Sequence, residues 1–266
     1  MVLFIGCIEP FDIQEAESVE RILVVEATIT DEEKSQHVKL SRSYNLSQEE
    51  PSPESNAQVR VVDGDQNEFL FQETEAGLYV SEFPFAAQPG TGYRLQIATS
   101  GGQRYVTDTQ ITPIPSEVTN VYANRENNDF GEDGMAIYVD FEGTETSSRY
   151  FRYEYEETYK IVAPFYAPSD AIVVRAETPI FEYGLRERES RQACFGNRLS
   201  NRIVLANTDG QAANRLDRFQ VKFMPNDDFA ISHRYSILVK QYAQSADAYA
   251  YYERLRDFSQ AENPFS

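Results

Sequence analysis

The chain has 266 residues, 43 acidic and 24 basic, for a formal net charge of −19. A field of that sign repels phosphate backbones and anionic headgroups, which excludes nucleic-acid binding and docking on membranes through basic patches. Apolar residues make up 41% and include 17 Tyr and 17 Phe, enough for two hydrophobic cores, while no run of about 18 apolar residues offers a transmembrane helix.

The first residues, Met1-Val2-Leu3-Phe4-Ile5-Gly6-Cys7, are apolar, and the chain then turns polar at Ile8-Glu9-Pro10. Phe4-Ile5-Gly6-Cys7 resembles a bacterial lipobox, which makes Cys7 the expected lipidation site. A full export signal also needs a basic start and a longer apolar segment, so the reading frame is expected to begin further upstream. The alternative is a buried N-terminal strand with a core cysteine. Each buried methylene of an acyl chain adds about 0.8 kcal/mol, so a multiply acylated Cys7 would hold the protein on a membrane permanently. Glu9, Asp12, Glu15, Glu17 and Glu20 make residues 8–20 an acidic tether, with 1–20 forming lipobox and tether together. The only other cysteine is Cys194, so a disulfide-stapled miniature scaffold is excluded.

From residue 21 the pattern is β. Ile22–Ile29 and His37–Arg42 read as strands, the second alternating apolar and polar. Gln48–Ser55, with two prolines and three glutamates, reads as an exposed loop. Ala57–Val62 and Glu68–Phe71 flank Asp63-Gly64-Asp65, whose Asp-Gly pair tolerates positive φ and predicts a hairpin. Gly77–Val80, Gly92–Ile97 and Arg104–Thr107 follow, the last two joined through Ser100-Gly101-Gly102. Seven or so short strands in about 90 positions predict a β-sandwich over 21–112.

Thr112-Pro113-Ile114-Pro115 is stiff and poor in donors, and is the expected domain boundary. Beyond it, strands are predicted at Met135–Phe141, Tyr150–Tyr155, Ala171–Val174, Arg202–Leu205, Phe219–Phe223 and Tyr235–Tyr242. Ser245 is a fitting N-cap for a helix over about 245–258, with Asp247 in its first turn and Ala248, Tyr252 and Leu255 on one face beside Tyr249. The abrupt stop at Asn263-Pro264-Phe265-Ser266 suggests a chain that continues further. The expected fold is mainly β: an Ig- or transthyretin-like sandwich, then a fibronectin-like sandwich over 113–266 with one C-terminal helix.

Together, Cys7 with Glu9-Pro10, Leu23–Ala27, Val38–Arg42, Gly77-Leu78-Tyr79, Gly92–Leu95, Arg234–Tyr242 and the Tyr-rich Ala248–Tyr252 resemble a family of Bacteroidota outer-membrane lipoproteins known as domain of unknown function 4249. The resemblance spans nearly the whole chain. It implies lipid anchoring at the outer membrane, facing the cell surface, and association with TonB-dependent, SusC-like β-barrel receptors. It carries no known chemistry. Zero Trp is a departure, since relatives often carry tryptophan where this chain has tyrosine, as in Glu157-Thr158-Tyr159.

Residue types that carry chemistry are sparse. The two histidines, His37 and His233, lack partners at metal-ligand spacing, and neither a nucleophile elbow nor a phosphate-cradling glycine loop occurs. Cys194 has Arg191 nearby but no base in its neighbourhood. Carboxylates abound, so a glycoside-cleaving pair is not removed by counting, yet abundance singles none out. Asn128, Asp129, Glu132 and Asp133 place oxygen ligands in one short loop as calcium sites do, without EF-hand spacing, and Asp63-Gly64-Asp65-Gln66-Asn67 is similar. Tyr153, Tyr155 and Tyr159 share a strand face with Phe151, and Phe165 and Tyr166 follow. Such a stripe is either a core face or a surface for a partner, sugar, peptide or other small ligand.

The expected role is non-catalytic and cofactor-free: an accessory subunit of an outer-membrane β-barrel that helps capture or gate a ligand. The alternatives are a structural subunit of a larger outer-membrane assembly, such as a secretion or barrel-insertion machine, and a carboxylate hydrolase.

Overall fold

The computed structural model describes residues 21–44, 50–165, 167–177, 180–187 and 192–260; the lipobox with Cys7, the acidic tether, and Tyr166 lie outside them. The architecture is mainly β, with eighteen strands and one long helix among the described residues. It divides into two compact units, Met1–Thr112 and Pro113–Ser266.

The first unit contains β1 (Leu23–Thr28), β2 (His37–Arg42), β3 (Ser52–Pro53), β4 (Gln58–Asp63), β5 (Glu68–Glu75), β6 (Leu78–Ser81), β7 (Gly92–Ala98), β8 (Arg104–Val106) and β9 (Gln110–Ile111). They hydrogen-bond in the order β1-β2-β6-β5-β4-β7-β8, with β3 added to β2 and β9 to β7. Val38 and Leu40 of β2, Val59 and Val61 of β4, and Leu95 and Ile97 of β7 meet in one core, and Val38, Val59, Leu95 and Ile97 lie between exposed or half-buried neighbours. Strands distant in the sheet order thus share a single cluster, so the sheet curls around it. What the sequence treats as two stacked sheets is one continuous hydrogen-bonded sheet. Part of the expected Gln48–Ser55 loop also pairs, Ser52 and Pro53 lying against Arg42 and Ser41.

Gln36 is a polar hub inside this unit. Its side-chain Nε2 donates to the carbonyl of Phe85 at 2.8 Å, and Oε1 accepts from the Thr30 amide at 3.2 Å. Nε2 also reaches the carbonyls of Glu32 and Thr30, and the Gln36 amide donates to Ser81 Oγ. A single buried side chain therefore satisfies the irregular backbone of the β1–β2 and β6–β7 connections. At the β4–β5 hairpin, Asp63 Oδ1 accepts from the amides of Asp65 and Asn67, and the positive φ falls on Gln66 (66°) rather than on Gly64.

The second unit contains β10 (Glu117–Asn127), β11 (Asp133–Glu142), β12 (Tyr150–Val162), β13 (Ser169–Glu177), β14 (Ile180–Glu187), β15 (Ala193–Leu199), β16 (Val204–Asn207), β17 (Arg215–Pro225), β18 (Tyr235–Gln244) and the helix α1 (Ala246–Gln260). One sheet is β10-β11-β17; the other centres on β12, with β18 along one edge and β15 and β16 in succession along the other. Val139 and Phe141 of the first sheet and Phe151, Tyr153 and Tyr155 of the second share one core. The rings of Phe141 and Phe151 lie 4.3 Å apart and those of Tyr153 and Phe219 5.1 Å apart, so aromatics do the packing in a chain without tryptophan.

Ser245 caps α1, its hydroxyl accepting from the Ala248 amide at 3.2 Å. Tyr249 is the helix's buried anchor, its hydroxyl accepting from Asn207 Nδ2 at 2.9 Å, whereas Leu255, expected on the packed face, is exposed. Tyr252 and Tyr242 bracket the Arg152 guanidinium at 4.6 and 4.8 Å, a cation–π clamp between helix and sheet.

Replacing Gln36 by Leu removes the donor to the Phe85 carbonyl and the acceptor for the Thr30 amide. The first unit should lose about 2–3 kcal/mol of stability, seen as a lowered urea midpoint with unchanged slope.

Candidate functional site

The inner face of β12 reads Phe151, Tyr153, Tyr155, Glu157, Tyr159. The first three are core: of the two readings open for the stripe, Tyr153 and Tyr155 take the core one and point between the two sheets rather than forming a contact surface. Tyr159 is half-buried, its ring edge-on to Phe229 at 5.4 Å, and Phe165 is exposed. The sequence reading passed over Glu157, the residue on which the site is built.

Glu157 is 1% exposed, a carboxylate within an apolar sandwich. Arg198 of β15 donates Nε to its Oε2 at 2.7 Å, Lys222 of β17 donates Nζ to Oε1 at 2.5 Å, and Tyr235 of β18 donates its hydroxyl to Oε1 at 2.7 Å. Three strands from both sheets converge on one side chain. Burial alone would push the carboxyl up, but the hydrogen bonds from Arg198, Lys222 and Tyr235 prevail and hold it below the ordinary glutamate value. The Arg198 guanidinium is raised, first by its bond to Glu157, and the Tyr235 hydroxyl is raised by burial and then by the same carboxylate. Lys222 goes the other way, because burial lowers it by more than Glu157 restores. Arg198 also reaches Asp228 at 3.5 Å, and Asp228 Oδ1 accepts from the Ala230 amide.

Beside this cluster is a cavity of about 260 Å³ between the sheets, walled by residues of β12, β15, β16 and β17 and by the 200–203 loop. Ser200 fixes that loop: its amide donates to the Tyr155 carbonyl at 2.8 Å, and its hydroxyl accepts from the Tyr155 amide at 3.2 Å. The loop thereby fills the gap between β15 and β16 on the edge of β12 and brings Asn201 and Arg202 to the cavity wall. The first unit has a wider, open depression of about 640 Å³ near Arg60, Gln72 and Tyr105. Polar side chains there pair with one another, Arg60 with Gln96 and Glu68, and Gln72 with Glu82.

The other expected site residues are engaged elsewhere. Asn128 Oδ1 accepts from the amides of Phe130 and Glu132, and its Nδ2 donates to Glu132. Asp133 is held by Arg125 at 2.7 Å and by Asn226 at 3.0 Å, which together depress its carboxyl to about 2. Of the four residues weighed for calcium, Asn128, Glu132 and Asp133 are thus engaged by donors within the loop or beside it. Asp63 is likewise committed to Asn67 and Asp65. His37 and His233 are exposed, as is Cys194 on β15. Among the described residues no group of three His, Cys, Asp or Glu side chains is placed for a metal, and no helix is long and apolar enough to cross a membrane.

A second feature is the β13–β14 hairpin, a two-stranded sheet of its own. Its register places Ala171, Val173, Tyr183 and Leu185 on one face, with Asp170, Arg175, Glu182 and Arg186 on the other beside Ile172 and Ile180, and a bulge between Val173 and Arg175. The polar face carries the Asp170–Arg186 ion pair. The apolar face is uncovered, with Tyr183 70% and Leu185 79% exposed.

Glu157→Gln strips the buried cations of their counter-charge and should cost about 3–5 kcal/mol. The carboxylate's folded-state pKa lies below its unfolded value. Its stabilisation is therefore full above the unfolded value of about 4.5 and fades as pH falls through the lower folded one. Protection of the β12 amides, measured against the exchange rate of an unstructured chain at the same pH, should fall below about pH 4.5 in the native protein and should already be low at neutral pH in the variant.

Comparison with curated proteins gives no match. The profile of the family described as Domain of unknown function (DUF4249) matches residues 8–266. That match covers both units, the Glu157 cluster and the amphipathic hairpin, and the chain belongs to the DUF4249 family.

Proposed function

We propose that this protein is a non-catalytic accessory subunit of an outer-membrane β-barrel, held at the cell surface through acylated Cys7. The observation that carries the reading is the bare apolar face of the β13–β14 hairpin. Two strands alone are marginal in water, and exposed Val173, Tyr183 and Leu185 gain stabilisation only when another surface covers them. Contact surfaces favour tyrosine and large aliphatic side chains, as here. The wall of a TonB-dependent receptor is the partner that the family resemblance implies, and the acidic tether would give the anchored body reach towards it. The most conspicuous buried carboxylate supports a binding rather than a hydrolytic role: Glu157 accepts from Arg198, Lys222 and Tyr235 together, so its lone pairs are committed.

Gentle detergent extraction of the native host's membranes should recover the lipidated protein together with a β-barrel protein. The pair Tyr183→Ser and Leu185→Lys should abolish that recovery while changing folded stability by no more than about 0.5 kcal/mol, because both side chains are largely exposed. Recovery as a lone monomer, or an unmodified Cys7 thiol by mass spectrometry, would overturn the reading.

A further inference from the structure

Strands β5, β4, β7 and β8 of the first unit floor an open depression of about 640 Å³. That volume falls within the roughly 300–1,000 Å³ of small-molecule sites. The register builds one row of side chains across it: Leu70 lies opposite Arg60, Arg60 opposite Gln96, and Gln96 opposite Val106. Directly opposed residues of antiparallel strands share a face. Val59, Phe71 and Ile97, the alternate residues, are in the core, so this row faces outward. Its two polar members are joined, Arg60 Nε donating to Gln96 Oε1 at 2.9 Å, while Arg60 Nη1 donates to Glu68 at 3.0 Å. Leu70 and Val106 flank them, 46% and 61% exposed. With neighbouring strands about 4.8 Å apart, the two aliphatic ends of the row stand ~14 Å from each other.

A second row borders the first. Ala98 stands opposite both Gln58 and Arg104, and Gln72 follows Leu70 on the same face of β5. Gln72 Nε2 donates to Glu82 at 3.0 Å, which leaves the Gln72 side-chain oxygen as an acceptor. The Gln96 amide nitrogen and the whole Gln58 carboxamide have no partner among the described residues. Contacts between neighbours therefore orient these planar groups, while donors and acceptors of both kinds stay open. The charged residues around the depression are Arg60 and Arg104 against Glu73 and Glu82, so their charges cancel, in a protein of net charge −19.

From these observations we infer that the depression is a binding site for an uncharged oligosaccharide lying across the strands. Each sugar hydroxyl both donates and accepts, which is what carboxamides beside a guanidinium and carboxylates can match. The C–H faces of the rings lie against Leu70 and Val106 and remove apolar surface from water. A charged ligand would find no net counter-charge among the four ionised groups. A peptide strand is served by a free sheet edge, where it meets unpaired backbone groups, whereas β4 and β7 beneath this row are paired on both sides. This inference is independent of the proposed barrel partner, since it rests on the first unit alone.

The test titrates the whole chain by NMR with cellotriose, maltotriose and xylotriose as neutral probes. Glucose serves as the single ring, trigalacturonic acid as the charged counterpart, and trialanine amide as the peptide. At millimolar concentration at least one neutral trisaccharide should give saturable shifts at Arg60, Gln96 and Val106, and should bind about tenfold more tightly than glucose. Whichever of the three binds supports the site and names its linkage class. Arg60→Met keeps the aliphatic stem and should weaken binding about tenfold, Gln96→Leu about fivefold and Val106→Ser about threefold. Urea midpoints identify any variant that has not folded, and Val106 is exposed on β8, so Val106→Ser keeps the test decisive if another variant fails. Absence of saturation with all three neutral sugars, glucose binding as tightly as they do, the acid or the peptide binding as tightly or more so, or indifference to the folded variants would each overturn the inference.

Discussion

A carboxylate buried between two β-sheets must be matched on every side, and in the second unit that requirement organises everything near it. Glu157 continues the inward face of β12, where Phe151, Tyr153 and Tyr155 have already built a core. At that position the strand pattern supplies a charge instead of an apolar side chain. Arg198, Lys222 and Tyr235, from strands on both sheets, are drawn to it. Such a cluster contributes less net stability than an apolar core of equal volume, because desolvating the ions offsets most of their attraction. What it does supply is registration. Only one alignment of β15, β17 and β18 places all three donors within reach, so a slip by one residue would leave an ion without a partner.

The same constraint explains why the sandwich does not close by apolar packing at this end. Ion pairs need room and some contact with solvent, and the cavity stands where Arg198 and Lys222 replace apolar side chains between the sheets. The 200–203 loop, fastened to β12 through Ser200, completes its wall. Core, ion cluster and cavity are successive steps along one strand.

Much of the fold was legible because it rests on local alternation and punctuation. His37–Arg42 is the observed β2, and the Ser245 cap and the α1 region stand out by residue type alone. The β10 strand was missed because it lies at the edge of its sheet with most side chains exposed, which erases the period-two signal. The β15 strand was hidden by Gly196, where a Cβ would stand 2.7 Å from the Tyr159 ring; the glycine that weakens the strand signal is what lets that ring pack. Gln36 and Glu157 were equally illegible, since each looks in sequence like an ordinary surface polar residue. Their partners are 49 and 41 positions away, at Phe85 and Arg198, and only the fold brings them together. The aromatic stripe was visible, but parity cannot tell a core face from a contact face; the burial of Tyr153 and Tyr155 decides it.

The acidity of the chain and the cationic cavity belong to one electrostatic arrangement. Exposed carboxylates keep a highly charged body soluble and discourage unspecific association with anionic surfaces. They also lower the local concentration of anions, so any anion that reaches the protein must be held by fixed, close donors rather than by the long-range field. Screening in salt weakens the diffuse repulsion over about 8–10 Å, while the buried Glu157 and the donors bonded to it are affected much less. An acidic protein that binds an anion therefore needs a recessed site in which a few charges are already oriented. At the end of β12 Glu157 holds Arg198 and Lys222 in such a fixed arrangement, with Arg202 beside them on the cavity wall.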